Sequence, residues 1–595
     1  MLNIEKLRKL EPKIISLGTH RPILQSMLDF DYYCGRSSPT LVAIIGAGKK
    51  YEKFFWGKKE ILVPIYSDLK LLDEKTRKSI NGFLNVNSGR RTLNSTTTAL
   101  ENLPNLKFST LFAENVPEKH SLQIYELIKN KNIIISGPAS VGLVLPGHLK
   151  IGPIGGVDSR QLITANLFEP GQTAVLCSSG GMVSELINLL SAENIPLSFA
   201  VAFGGDRFPV LTPKEAFLMA QEDKQTKQIV YFGELGGTDE YELVELLNKK
   251  IITKPVFAYI AGNIASVFAE PPQFGHAKAL AQKGSETAAA KTEALAQAGV
   301  WAGKSYAHFI KLIKQNIMKN NIKKSARERT SEDLSERKAG LFTCRISGDK
   351  NGSPTILGQE LVTAVKTMSY SEMVIAMLLG QKPKSKELPQ FTDLALKLLI
   401  DHGPNVSGAV NTMITARAGR DLVSALCAGL LTIGDRFGGA INESALNWFM
   451  AVENKTKPAE FVENFASAKK LIAGIGHKKY SSHNPDERVK MILEFAKKLK
   501  THFYLDFALA VQKITLGKKA NLILNVDGAM AAVMLDLLKE KEKYSAHEMK
   551  ELIESGFFNS LFVLARSVGF VSHYLEQRRL DEGLFRLPED SVGQG

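Results

Sequence analysis

The chain reads as two folds in tandem, an α/β N-terminal half and an all-α C-terminal region. Three features lead there. Short apolar runs alternate with longer amphipathic stretches up to residue 318, residues 319–340 are dense in charge and poor in apolar side chains, and helical periodicity is nearly continuous beyond Glu360. In the first half, Leu41–Ile45 followed by Gly46 and Gly48, then 61–65, 132–136, Thr173–Cys177, 229–232 and 255–260 have the length and composition of strands. Helical segments between them predict parallel sheets covered by helices. Several runs end in small residues, at Ser136-Gly137-Pro138, Cys177-Ser178-Ser179-Gly180-Gly181 and Gly233-Glu234-Leu235-Gly236-Gly237. In such folds ligands gather at the carboxyl ends of strands, where glycine lets backbone N–H groups approach an anion. Past the linker, 391–400, 422–432 and 559–579 carry the helical period.

With 595 residues, 44% hydrophobic and 23% charged, the composition is globular and about three to four domains are expected. No stretch reaches the roughly 18 apolar residues of a membrane span, and Met1 to Leu10 is too charged for a secretory signal, so a cytoplasmic protein is expected, without a membrane partner. Cys34, Cys177, Cys344 and Cys427 lie far apart without CxxC spacing, which predicts reduced, buried thiols and no metal site. The net charge of +14 is spread over helical stretches, so it points to anionic small substrates and not to nucleic acid.

His276 lies in a loop after Pro271-Pro272 and ahead of a helical run at 286–298, with Gly275 before it. Imidazole is a competent nucleophile towards phosphorus when a carboxylate orients its other nitrogen, and Glu114 and Glu234 are strand-end carboxylates suited to that task. Residues 1 to about 310 resemble the alpha subunit of succinyl-CoA synthetase and, more closely, the matching stretch of the ATP-citrate lyase family. The resemblance is carried by Met27-Leu28-Asp29-Phe30-Asp31-Tyr32, Trp56-Gly57-Lys58-Lys59-Glu60-Ile61, Gly137-Pro138-Ala139-Ser140-Val141-Gly142, Gly204-Gly205-Asp206-Arg207-Phe208-Pro209 and Phe274-Gly275-His276-Ala277. It implies a Rossmann-like CoA-binding domain at 1–150 and a flavodoxin-like ligase domain at 151–318. It also implies that His276 carries a phosphoryl group steadied by Glu114 and Glu234. Ser179, Gly180 and Gly181, with Gly236 and Gly237, would hold phosphate, and CoA would lie near Thr19, Arg21, Gln25, Gly46, Gly48 and Lys49. Two departures stand out: Lys278 where the family pattern has glycine after His-Ala, and Cys177-Ser178-Ser179-Gly180 where it has Ser-Arg-Ser-Gly.

In the C-terminal region His402, His477, Arg488, Asp527, Arg566 and Arg586 follow one another in the order of the citrate synthase constellation. Cleaving citryl-CoA requires loss of the carbinol proton, stabilisation of an enolate and protonation of its carbon. By resemblance His477 engages the carbinol oxygen, His402 the thioester oxygen, and Asp527 supplies the carbon proton. Arg488, Arg566 and Arg586 hold carboxylates, to which a guanidinium fork is matched. Residues 416–424 and 429–440 are similar to the lyase end of ATP-citrate lyase, and Val410 stands where the family often has histidine.

The resemblance further implies an all-α citrate synthase-like domain at 341–595 that cleaves citryl-CoA. It implies a homo-oligomer, a tetramer, formed through that domain, with Arg586 donated across the interface. It implies too a beta subunit whose ATP-grasp domain holds ATP and Mg2+. Two other readings stay open: a related acyl-CoA ligase and lyase for another tricarboxylate or for citrate synthesis, and a catalytically weak scaffold that recruits a beta subunit.

Overall fold

The computed structural model describes residues 3–268, 272–276, 278–317, 337–350, 352–434 and 440–593. It divides into two compact units, Met1–Leu341 and Phe342–Gly595. Most of the expected linker, 318–336, lies outside the described residues, as do Ala277 and 435–439.

The N-terminal unit holds two seven-stranded sheets. The first is built from β1 (Ile14–Leu17), β2 (Leu41–Ile45), β3 (Tyr51–Trp56), β4 (Lys59–Tyr66), β5 (Gly82–Asn85), β6 (Phe108–Leu111) and β7 (Ile134–Ser136), in the order β3-β4-β2-β1-β5-β6-β7. The second comprises β8 (Leu143–Leu145), β9 (Leu149–Ile151), β10 (Thr173–Cys177), β11 (Leu197–Ala202), β12 (Gln228–Glu234), β13 (Val256–Ala261) and β14 (Trp301–Gly303), in the order β14-β13-β12-β10-β11-β8-β9. Strands β1, β5, β10, β11 and β13 read as unbroken apolar or small-residue runs because helices cover both faces of a parallel sheet.

The sheets are mainly parallel, as expected, with antiparallel strands at their edges. β3 is antiparallel to β4, and β8 is antiparallel to both β11 and β9. The second sheet begins with β8 at Leu143 and β9 at Leu149. In both sheets the chain leaves a central strand for one neighbour and later returns to the other side: β1 lies between β2 and β5, and β10 between β11 and β12. Such reversals open a crevice at the carboxyl ends of the strands.

The C-terminal unit is helical, as expected, but opens with a three-stranded antiparallel sheet of β15 (Ser347–Lys350), β16 (Ser353–Ile356) and β17 (Gln359–Glu360). Its core centres on the helix Val526–Glu540, buried from Gly528 to Leu538 and packed against Ala440–Glu453, Phe503–Leu516 and Glu487–Ala496. Asp536 of this helix accepts the N–H groups of Tyr504 and Leu505, which caps the neighbouring helix Phe503–Leu516. The long helix Phe557–Leu580 packs on Ser407–Arg417 and Leu422–Leu430, and Gly408 and Gly429 make room for Phe570 between them. The cysteines depart from the expectation: Cys177 is buried, Cys34 half-buried, and Cys344 and Cys427 are exposed.

Candidate functional site

The ends of β11, β10 and β12, three adjacent parallel strands, bring Gly204-Gly205-Asp206, Ser178-Ser179 and Glu234 through Gly237 to one edge. Ser179 caps the helix Gly180–Ala192 by accepting the Met182 N–H, so the N–H groups of that first turn face the same edge. Gly236 and Gly237 have φ of +87° and +65°, a left-handed turn that side chains disfavour. Gly236 is further required because a Cβ there would come within 2.1 Å of the Lys278 carbonyl oxygen.

Onto this edge the loop lays His276, whose Nδ1 lies 2.7 Å from Glu234 Oε2. Gln273 holds the loop by donating from Nε2 to the His276 carbonyl oxygen at 2.6 Å. A carboxylate can only accept, so Nδ1 carries the proton and Nε2 presents a lone pair. The hydrogen bond to Glu234 holds the imidazole pKa above its usual value, opposed by burial, and Glu114 and Asp206 add to the rise through their fields. Glu234 therefore holds the ring directly, while Glu114 acts on it at longer range. Gly205 is the residue that lets the ring in: a Cβ there would lie 2.5 Å from His276 Cδ2 and 2.8 Å from Nε2. The Gly204-Gly205 motif is visible in the sequence, yet nothing there ties it to His276.

Beneath the site Lys291 is buried, 1% exposed at its side chain. Its Nζ meets Glu240 at 2.6 Å and donates to the carbonyl oxygens of Glu234 and Gly236 at 2.9 and 2.5 Å. Tyr231 donates to the other oxygen of Glu240 at 2.8 Å. This network fixes the strand end that carries Glu234, and the sequence reading missed it.

At the first sheet, Thr19 and Gly46 follow the neighbouring strands β1 and β2, and a Cβ on Gly46 would sit 4.0 Å from Thr19 Oγ1. Gly48 has a φ of +108° and open space around it. Arg21 and Lys49 are exposed and share Glu52, at 2.8 and 3.7 Å. Gln25 is committed within the fold: its amide bonds both the N–H and the carbonyl of Phe55 and donates to Asp29. It ties the helix Arg21–Tyr33 to β3.

The second cluster forms where two loop segments zip together in the helical unit. Gly476 and His477 donate their N–H groups to Ile523 and Asn521, and Asn525 donates to Gly474 through its N–H and to Gly476 through its side chain. Asn525 also caps the helix Val526–Glu540. That brings the segment carrying His477 onto the start of the helix whose second residue is Asp527. The approach depends on glycine, since a Cβ on Gly528 would lie 2.5 Å from the Gly474 carbonyl oxygen.

His477 Nδ1 accepts the N–H groups of Lys479 and Tyr480 at 3.0 and 3.1 Å. His402 Nδ1 faces Arg488 at 3.2 Å, and guanidinium can only donate. Both rings therefore carry their proton on Nε2. Burial lowers both pKa values, aided at His402 by Arg488, Arg566 and His477 and at His477 by Arg488 and Lys479. Arg488 is itself oriented by a two-point pair with Asp486. Arg566 is buried with Nε and Nη1 lacking hydrogen-bond partners; the nearest carboxylate to Nη1 is Asp401, at 3.8 Å. Asp527 is pushed up to about 6 by burial, against the fields of Arg488 and Arg566. Arg488 thus lies within electrostatic reach of His402, His477, Asp527 and Arg566, and Arg566 within reach of His402 and Asp527. Arg586 is exposed, on a tail that Arg417 holds through Gly583 and Glu582.

Among the described residues no group of three or more His, Cys, Asp or Glu is placed to hold a metal ion, and no helix is long and apolar enough to cross a membrane.

The description "Citrate synthase, C-terminal domain" matches residues 342–587, and "CoA-ligase" matches 176–301. The chain is 38% identical to the ATP-citrate synthase of Mus musculus, over 98% of this chain and 54% of that one, so it spans about half the length of this relative. It is 38% identical to ATP-citrate synthase subunit 1 of Sordaria macrospora, over 97% of this chain and 87% of that one. Among solved structures it is similar to ATP citrate lyase from Methanothrix soehngenii in complex with citrate and coenzyme A. That match has 33% identity and a TM-score of 0.52, and covers 100% of this chain and 98% of the other.

Proposed function

The chain belongs to the ATP-citrate synthase family, and from that premise we propose that it is the subunit that makes citryl-CoA through phosphorylated His276 and then cleaves it to acetyl-CoA and oxaloacetate. The observation that carries this reading is the coexistence, on one chain, of a Glu234-oriented imidazole and a second group of two Nε2–H donors, two arginines and a protonatable carboxyl.

At the first site His276 Nε2 attacks the terminal phosphorus of ATP; the P–O bond breaks and ADP leaves. Citrate takes the phosphoryl group through a carboxylate oxygen, and the CoA thiol displaces phosphate to form the thioester. Thr19, Gly46 and Gly48 line the strand ends where CoA would enter. ATP with Mg2+ would be held by the ATP-grasp domain of a beta subunit. Support comes from the greater length of the Mus musculus relative and from the "subunit 1" name of the fungal one.

At the second site the buried guanidinium of Arg566, with N–H groups unspent, and Arg488 are suited to the carboxylates of the oxaloacetate half. His402 Nε2–H donates to the thioester oxygen as charge develops there, and His477 Nε2–H polarises the carbinol oxygen. Asp527, protonated, supplies the carbon proton; the carbinol proton passes to solvent water, because His477 already holds a proton on Nε2, and water reprotonates Asp527, so protons balance across the cleavage. Arg586 would reach such a pocket from a second copy, within a tetramer formed through the helical unit.

Purified chain mixed with citryl-CoA tests the reading: acetyl-CoA release is expected, and intact protein that releases none is the outcome expected of a scaffold. With a beta partner and ATP, His276→Ala abolishes ATP-driven cleavage and spares citryl-CoA cleavage. A variant that loses both would show that the two sites are not separable.

A further inference from the structure

The residue two places after His276 departs from the family pattern, and its surroundings give it a task. The Lys278 side chain runs over Gly237, where an added Cβ would meet its Cε at 2.8 Å, and its Nζ pairs with Asp239 in the first turn of the helix Asp239–Asn248. A cavity of about 20 Å³ beside it, lined by Ser178, Gly204, Glu234, Gly236, Asp239 and Lys278, has room for one water. The Ser178 Oγ is buried there with no hydrogen-bond partner, a donor left for a guest.

Charge sharpens the point. Glu114, Asp206 and Glu234 all act on His276, and Asp239 and Glu240 line the adjoining cavity. A phosphoryl group brings about two further negative charges into this cluster. Among the described residues, Lys291 is buried and spent on Glu240 and two carbonyl oxygens. Lys278 has a side chain 19% exposed, bonds a carboxylate that is itself 30% exposed, and can change partner by rotating its stem. Burial, with Lys291 nearby, pulls the Lys278 pKa down to about 8, which leaves it largely cationic near neutral pH.

Taking His276 as the phosphoryl carrier, as argued above, we propose that Lys278 is the cation that meets the phosphoryl group on His276, releasing Asp239 as that group arrives. The chain would thereby supply within its own loop part of the countercharge that the site needs.

The test uses the full chain and potassium phosphoramidate, a small donor that transfers its PO3 group to an imidazole nitrogen with loss of ammonia and needs no partner protein. The steady-state amount of acid-labile phosphate on His276, read by mass spectrometry, is the measurement. Wild type is expected to label and His276→Ala to stay unlabelled. Lys278→Met should hold about ten-fold less phosphate, Lys278→Arg nearly as much as wild type, and Asp239→Asn more, because it frees the lysine. Equal labelling of Lys278→Met and wild type would overturn the inference alone, and so would a loss of label in Asp239→Asn. An unlabelled His276 in the wild type would overturn the phosphohistidine reading and this inference with it.

Discussion

Single atoms decide the chemistry at both sites. At the first, Gly205 makes way for the imidazole, and a methyl group there would lie 2.5 Å from Cδ2, well inside contact distance. Gly205→Ala is expected to lower phosphate incorporation into His276 at least ten-fold, with a melting temperature close to wild type, as read by acid-labile label and calorimetry. At the second, Asp527→Asn removes the proposed carbon acid and should slow citryl-CoA cleavage by about 10²- to 10⁴-fold. The same change carries a stability signature. The folded state holds the Asp527 proton more tightly, with a pKa of about 6 in place of 3.8. The stability this gives is fully present below the unfolded value and is lost as pH rises through 6. At pH 8 the ionised carboxylate burdens the fold, so Asp527→Asn should be more stable than wild type there, by on the order of 2 kcal/mol. Urea denaturation at pH 8 checks this; equal or lower stability of the variant would refute it.

Elements position these atoms, and they differ in how plainly the sequence announces them. The strands leading to the first site were legible because β10 and β12 are apolar runs that stop at small residues, a local pattern. The antiparallel strands β3, β8 and β9 were not read as such, since what sets their direction is the neighbour each meets in space. Lys291 was missed for a similar reason. In sequence it is one lysine in an alanine-rich helix, and only the fold brings it under Glu234 and Gly236. Lys291→Met would leave Glu240 buried without its partner, and a loss of about 3–5 kcal/mol is expected by denaturant unfolding. Activity at His276 should fall beyond what lost stability explains, because the end of β12 loses its anchor. In the helical unit, the roles expected of His402, His477 and Asp527 rest on family resemblance. Their spacing alone says nothing of the crossing of Gly474 with Gly528 that brings the 474–477 segment onto the start of the Asp527 helix.

On the proposed function, the molecule as a whole carries two sites whose protonation demands run in opposite directions. His276 must be neutral to attack phosphorus, and its pKa lies above the usual value because Glu234 favours the imidazolium. Phosphoryl acceptance should therefore rise with pH through and beyond about 6.5. Asp527 must be protonated, so cleavage should fall as pH climbs past about 6. Comparing pH profiles of the two partial reactions on the same preparation checks this, and an optimum for citryl-CoA cleavage that is not the more acidic of the two would contradict it. The ionisation of one buried carboxyl thus reaches beyond its own pocket. On turning alkaline, the carbon–carbon step would throttle while the phosphoryl step gains, and activated thioester would pile up between them, drawing on ATP without delivering acetyl units.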